Sequence, residues 1–349
     1  MSKVILSYHL HEDLAIALSG CSHDKTFVLT DTTTRQLCWP LLSSHPGLRH
    51  AHHITIPATD THKNIDTLTK VWGELGDNGA TRHSCLICLG GGMVTDLGGF
   101  AAATFKRGIN YINIPTTLLA MVDASVGGKT GINFRGLKNE VGAFADSECV
   151  IIHTPFLSTL DSDNLCSGYA EMLKHGLIAD DDTWADLLNF DILHPDLQLL
   201  QQMVGQSVAV KERIVEEDPH ENGIRKALNL GHTIGHAFES WALKRKQPIL
   251  HGFAVAYGLV SELYLSCVKT GFPSHKMRAT VSYIKEHYGQ LPITCDDYPV
   301  LLELMTHDKK NQGDTINFTL LGDIGDIRIN QTATTRDIEE ALDFFREGL

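Results

Sequence analysis

Leu86-Ile-Cys-Leu-Gly-Gly-Gly-Met-Val-Thr-Asp-Leu-Gly-Gly-Phe-Ala-Ala-Ala-Thr-Phe105 opens as a short apolar run, passes through Gly90, Gly91 and Gly92, and continues in the small residues of a helix. That order reads as strand, tight turn, helix. Glycines at such a turn let the backbone come close to a ligand, and the helix N–H groups aimed at it suit a pyrophosphate. Asp96 falls on the first turns of the helix. Gly-Gly-Gly is not the Gly-x-Gly-x-x-Gly fingerprint, so taken alone the stretch reads equally well as a plain turn.

Outward from this stretch, the flanking sequence repeats the pattern. Lys3–Ser7, Phe27–Thr30, His53–Pro57, Ser84–Leu89, Asn110–Pro115 and Val150–Ile152 read as strands. Between the third and fourth, Ile65, Leu68, Val71 and Leu75 recur on one face of an amphipathic helix. Strands alternating with helices imply a mainly parallel sheet with ligands gathered at the strands' carboxyl ends. Asp31 ends the second strand, where it can meet a ribose or cap the helix that follows. Residues 116–133, with Gly127, Gly128 and Lys129, look too irregular for regular structure, and Lys138 and Asn139 follow. Loops of this composition commonly line sites.

After about residue 158 the character changes. Asp161–Ala179, Asp181–Leu188, Asp196–Glu217, Ile224–Leu243, His251–Lys269 and Pro273–Tyr288 read as helices, Ile316–Leu321 and Ile327–Ile329 as a small hairpin, and Thr335–Arg346 as a closing helix. We therefore expect an α/β domain over residues 1–158 and a mainly α-helical domain over residues 159–349.

Composition narrows the function. The 349 residues carry a formal net charge of −13, which argues against nucleic acid or an anionic membrane as partner. No apolar run reaches the about 18 residues of a membrane span, and the start lacks a signal-peptide core. Eight cysteines are scattered along a chain whose size does not call for disulfide staples, which fits a reducing cytoplasm.

Two constellations carry chemistry. In Asn229-Leu-Gly-His-Thr-Ile-Gly-His236, His232 and His236 stand four apart on one helix face. Such a pair can share a metal, or divide metal binding and proton handling between them, and it also occurs without any ligand. Glu171, on a helix with Lys174 and His175, and His251, opening another, would complete an open catalytic zinc set. Separately, Arg107, Lys129, Lys138, Lys174, Lys211, Arg225 and Lys309-Lys310 concentrate cations near these residues, as a phosphate or carboxylate substrate requires.

The motifs together resemble the 3-dehydroquinate synthase family of sugar-phosphate cyclases along nearly the whole chain. Those that carry the resemblance are the Gly90 stretch, Pro115-Thr-Thr-Leu-Leu-Ala120, Val122-Asp-Ala-Ser-Val-Gly-Gly-Lys-Thr-Gly131, Leu137-Lys-Asn-Glu-Val-Gly-Ala-Phe144, Ala170-Glu-Met-Leu-Lys174, Arg225 through Ala237, Leu250-His-Gly252 and Asp308-Lys-Lys310. The resemblance implies an NAD-binding α/β domain followed by a helical metal-binding domain, a site between them, and a homodimer. It implies zinc or cobalt on Glu171, His232 and His251. NAD contacts fall on Asp31, Asp60, Lys63, Gly91, Gly92, Asp96, Thr116, Thr117, Asp123, Lys138 and Thr159. Substrate contacts fall on Arg107 (reaching across the dimer), Lys129, Asn139, Lys174, Lys211, Arg225, Asn229, His236 and Lys310, with Lys309 the other choice for the last.

The implied reaction converts 3-deoxy-D-arabino-heptulosonate 7-phosphate, a phosphorylated sugar acid, into 3-dehydroquinate and phosphate, a step of the shikimate pathway to aromatic amino acids. It runs by transient oxidation at C5 with NAD, phosphate elimination, re-reduction, ring opening and intramolecular aldol closure, with His236 handling the C5 hydroxyl proton. Several positions depart from the family pattern. Asp60 stands where glutamate is usual, Thr95 replaces a common glycine, Met121 replaces a common glutamine, and Ser240–Leu250 is longer than expected. A cyclase for another sugar phosphate, or a metal-dependent polyol dehydrogenase, is the alternative. Such dehydrogenases usually carry aspartate where Glu171 stands, and they lack the Lys129, Lys138 and Asn139 set.

Overall fold

The computed structural model describes residues 2–306 and 316–347, and the chain divides into two compact units. The first comprises residues 1–161 and 196–208, the second residues 162–195 and 209–349.

In the first unit, β1 (Lys3–Leu6), β2 (Thr26–Asp31), β3 (His52–Ile56), β4 (Cys85–Gly90), β5 (Asn110–Pro115) and β8 (Cys149–Ile152) form one parallel sheet in the order β1-β8-β5-β4-β2-β3. Helices α1 (Leu10–Gly20), α2 (Thr32–Leu37), α3 (Ile65–Asp77) and α4 (Gly92–Thr104) connect the strands up to β5. All six residues of β4 are buried, as a strand covered on both faces must be. Leu68, Val71 and Leu75 of α3 pack into this core, whereas Ile65, at the helix's first residue, is exposed. The strand order reverses between β2 and β4: the chain steps outward from β2 to β3, then returns to β4 on β2's other side and runs on to β5. In open α/β sheets such a switch point is where the carboxyl ends leave a crevice for ligand. Asp31 and the Gly90–Gly92 turn are the residues that stand there.

The expectation of irregular structure over 116–133 is corrected. Ala120–Ala124 forms a helical turn, and β6 (Lys129–Phe134) pairs antiparallel with β7 (Leu137–Phe144). Arg135 and Gly136 both have positive φ (50° and 81°), the two-residue turn that suits a tight hairpin. The strands also lie unusually close: a Cβ on Gly142 would stand 2.1 Å from the Thr130 carbonyl oxygen. Gly131 and Gly142, paired across the two strands, are what lets them close.

The second unit holds α5 (Ser162–Ala179), α6 (Asp181–Asn189), the end of α7 (Leu197–Glu217), α8 (His232–Lys244), α9 (His251–Thr270), α10 (Ser274–Tyr288), α11 (Tyr298–Thr306), the hairpin β9 (Asn317–Asp323) with β10 (Asp326–Thr332), and α12 (Thr335–Glu347). Helix α9 is apolar nearly all round and packs against α5, α8, α10, α12 and β9, as a central helix does. The single helix expected over 224–243 is instead two pieces. A 3₁₀ segment, Ile224–Asn229, ends before Gly231, whose φ of 79° interrupts the helix, and α8 begins at His232. Gly231 and Gly235 do keep α8 slim, and what approaches is the backbone of α9: a Cβ on Gly235 would lie 2.7 Å from the Ala254 carbonyl oxygen.

Candidate active site

Three helices of the second unit bring the candidate ligands together. Glu171 sits in the middle of α5 and is fully buried. His232 opens α8 and His251 opens α9. Oε1 of Glu171 is 3.3 Å from Nε2 of His232 and 3.5 Å from Nε2 of His251. A tetrahedral ion with bonds of about 2.0–2.1 Å needs donors about 3.4 Å apart, so this oxygen and two ring nitrogens fit a divalent cation in both chemistry and spacing. His236 joins them: among the described residues, ring nitrogens of His232, His236 and His251 lie within 4.8 Å of one another.

The electrostatics favour the same set. Burial opposes charge on Glu171, but the Lys174 ammonium, paired with it one turn on, and the two histidines hold its carboxyl well below the usual range. Burial, opposed by Glu171 and assisted by Lys174 and His236, pushes His232 down to about 4, so its ring is neutral and able to ligate. Burial opposes charge on His251 too, yet hydrogen bonds to the Glu171 and Glu239 carboxylates raise it to about 10. A cation would have to displace that proton.

The entry to α8 is held by a residue that sequence reading missed. Glu262 of α9, fully buried, accepts the N–H of Gly231 at 2.6 Å and of Ile234 at 3.0 Å. Its carboxylate caps the helix that starts with His232. A glutamate inside an apolar helix stretch was the available signal.

Other predicted residues lie in the same unit. Lys174, Lys211 and Arg225 are buried. Nη1 of Arg225 donates to the Pro219 carbonyl at 2.5 Å, its backbone N–H bonds Asp218, and Asn229 Nδ2 donates to Glu221 at 2.8 Å. Buried cations are uncommon without a purpose for the charge. Lys310 and Lys309 lie outside the described residues.

In the first unit, the turn after β4 is built as expected. Gly91 caps α4, and a Cβ there would stand 2.9 Å from Thr117. Asp31 spends one carboxylate oxygen on capping α2, accepting the Thr34 N–H at 2.7 Å. Thr116 is buried with its N–H on Gly90, Thr117 caps the turn containing Asp123, and Thr159 bonds the Phe156 carbonyl. Lys63 is buried, paired with Asp96, and donates to Asn139 at 2.6 Å. Asp60, the shorter carboxylate, accepts from Asn133 at 3.0 Å and stands 3.8 Å from Lys138. Five predicted residues from three segments thus meet around Lys63 and the hairpin. Arg107 and Lys129 are exposed.

A switch-point glycine turn in a parallel α/β unit, joined in one chain to a buried carboxylate–histidine set on helices, defines a two-unit enzyme of the nucleotide-and-metal class. Residues 53–167 match the family model described as 3-dehydroquinate synthase N-terminal, and residues 168–311 the one described as 3-dehydroquinate synthase C-terminal. The chain belongs to the 3-dehydroquinate synthase family. It is 57% identical over 346 residues to a 3-dehydroquinate synthase of Parabacteroides distasonis, covering 99% of this chain and 98% of that one. It is 39% identical to the 3-dehydroquinate synthase of Oceanobacillus iheyensis, over 87% of this chain and 84% of the other. Among solved structures it resembles a 2-epi-5-epi-valiolone synthase from Streptomyces hygroscopicus with NAD+ and Zn2+ bound, at 26% identity and a TM-score of 0.85, covering 99% and 97%.

Proposed function

We propose that this chain converts 3-deoxy-D-arabino-heptulosonate 7-phosphate into 3-dehydroquinate and phosphate, using NAD and a divalent ion, zinc or cobalt. The observation that carries it is the Glu171–His232–His251 set, at 3.3 and 3.5 Å, in a chain this close to synthases of that name. When bound, the ion supplies Lewis-acid polarisation of substrate oxygens and NAD a reversible hydride acceptor.

Every other role belongs to the chain's own residues. Lys174 keeps Glu171 charged and in place. His236, whose ring centroid is 5.3 Å from that of His232, moves the proton of the C5 hydroxyl. Arg225, Lys211 and Asn229 offer two cations and an amide to the substrate carboxylate, with Asn229 aligned by Glu221. Lys129, Asn139, Arg107 and Lys310 receive the phosphate end, where negative charge grows as phosphate departs. The N-terminal domain, residues 1–158, holds NAD by the Gly91–Gly92 turn with Asp31, Asp60, Lys63, Asp96, Thr116, Thr117, Asp123 and Lys138, and residues 159–349 add Thr159 to that set and hold the ion and the carboxylate end of the substrate. We read the working form as a cytoplasmic homodimer. The cytoplasmic reading draws support from eight cysteines that all stand as free thiols.

The test supplies the heptulosonate phosphate with NAD and follows phosphate release. Turnover should proceed without net NADH, stop in chelator and return with zinc or cobalt. Release from a heptulose 7-phosphate but not from this substrate would overturn the assignment in favour of another cyclase. A second test bears on the cofactor residues. Lys63→Met should weaken NAD binding about tenfold or more, a loss of about 1.4 kcal/mol, because Asp96 and Asn139 lose the cation between them. Fluorescence titration measures it, and an unchanged affinity would remove Lys63 from the NAD site.

A further inference from the structure

Glu239 lies on α8, seven residues beyond His232, and its backbone stands on a different helix from His251. Its Oε2 is 3.4 Å from Nδ1 of His251, while Nε2 of the same ring faces Glu171 at 3.5 Å. Glu239 is only 8% exposed, and acidic groups are seldom so buried without a partner.

A histidine that gives Nε2 to an ion keeps its proton on Nδ1, and the acceptor of that N–H fixes the tautomer and the ring plane. His232 has such an acceptor in the Leu230 carbonyl, 3.1 Å from its Nδ1. His251 opens α9, and among the described residues the group at its Nδ1 is Glu239. Its carboxylate stands at Nδ1, whereas Glu171 stands at Nε2 of the same ring.

We propose that Glu239 is a positioning residue for the metal centre: it accepts the Nδ1 proton of His251, holds Nε2 toward Glu171, and thereby sets the affinity for the ion. The inference rests on reading Glu171, His232 and His251 as the ligands. It gives α8 two tasks, presenting one ligand itself and orienting the ligand of its neighbour. Deleting the carboxylate should cost about 10–100-fold in ion affinity, the range for groups that hold a metal-bound histidine.

The full-length chain is stripped with chelator and titrated with Co2+ and Zn2+ by chelator competition, with the Co2+ absorption spectrum recorded. Glu239→Gln, nearly the same shape, should lose about tenfold in affinity and Glu239→Ala nearer a hundredfold, both with altered Co2+ spectra. In a His251→Ala background the Glu239→Ala substitution should cost nothing further, because the ring it orients is gone. Equal losses with and without His251, or an unchanged affinity and spectrum in Glu239→Gln and Glu239→Ala, would overturn the inference while leaving the ligands in place. A wild-type chain that takes up neither ion would overturn the ligand reading and this inference together.

Discussion

Replacing Glu171 with alanine is expected to abolish stoichiometric binding of a divalent ion and, with it, turnover. Oε1 of Glu171 is a donor that His232 and His251 both face, so its loss removes a ligand and the group around which the other two converge. Stability should fall as well. Lys174 is 1% exposed and pairs with this carboxylate, and breaking a buried pair by removing one partner costs about 3–5 kcal/mol. The two consequences separate in the double variant Glu171→Ala/Lys174→Met, which removes both charges and should recover much of the stability but none of the ion binding. Denaturant unfolding reads the first quantity and metal content after gel filtration the second. A Glu171→Ala chain that retains one ion per chain would end the assignment of this residue as a ligand.

The site and the fold were legible in the sequence to different degrees. The glycine turn, the parallel strands and the His232–His236 pair are local signals, an apolar run meeting glycines and histidines at helix spacing, whereas Glu171 and His251 come from other helices and joined them through the combination of motifs and the family resemblance. The Arg135-Gly136 hairpin was not found. Gly131 and Gly142 look like loop residues in one dimension, and the pairing of two strands at close range explains them. The break at Gly231 was missed for a related reason. Its φ is 79°, and a Cβ there would meet Leu259 and Val255 of α9, contacts distant in sequence that no local pattern reports. Asp31 stood between two readings, ribose contact and helix cap, and the cap is made with one carboxylate oxygen, Oδ1. Residues that act through another residue, such as Glu239 and Glu262, have no spacing rule of their own, because their partners come from a different helix.

Helices α5 and α9 approach closely at Gly252. A Cβ added at Gly252 would stand 1.8 Å from the Ser167 carbonyl oxygen and 2.4 Å from its carbon, and the Gly252 N–H already donates to Ser167 Oγ at 3.1 Å. These are backbone atoms, so no side chain can swing aside. Gly252→Ala must therefore push α9 away from α5. Ser167 is one turn before Glu171, and Gly252 is next to His251, so the displacement falls directly on the 3.5 Å separation of the two donors. Overpacking a well-packed core costs about 1–3 kcal/mol, sometimes more, and a backbone clash belongs at the upper end. Ion affinity should fall with it, since donors about 3.4 Å apart are what a tetrahedral cation needs. The same substitution at Gly73 of α3 provides the contrast. Nothing lies within 4 Å of a Cβ there, so Gly73→Ala should stabilise by about 0.5–1 kcal/mol through the helix preference alone. Unfolding in denaturant and calorimetric ion titration compare the two variants. A Gly252→Ala chain as stable as wild type, with unchanged ion affinity, would mean that the α5–α9 contact does not set the spacing of the ligands.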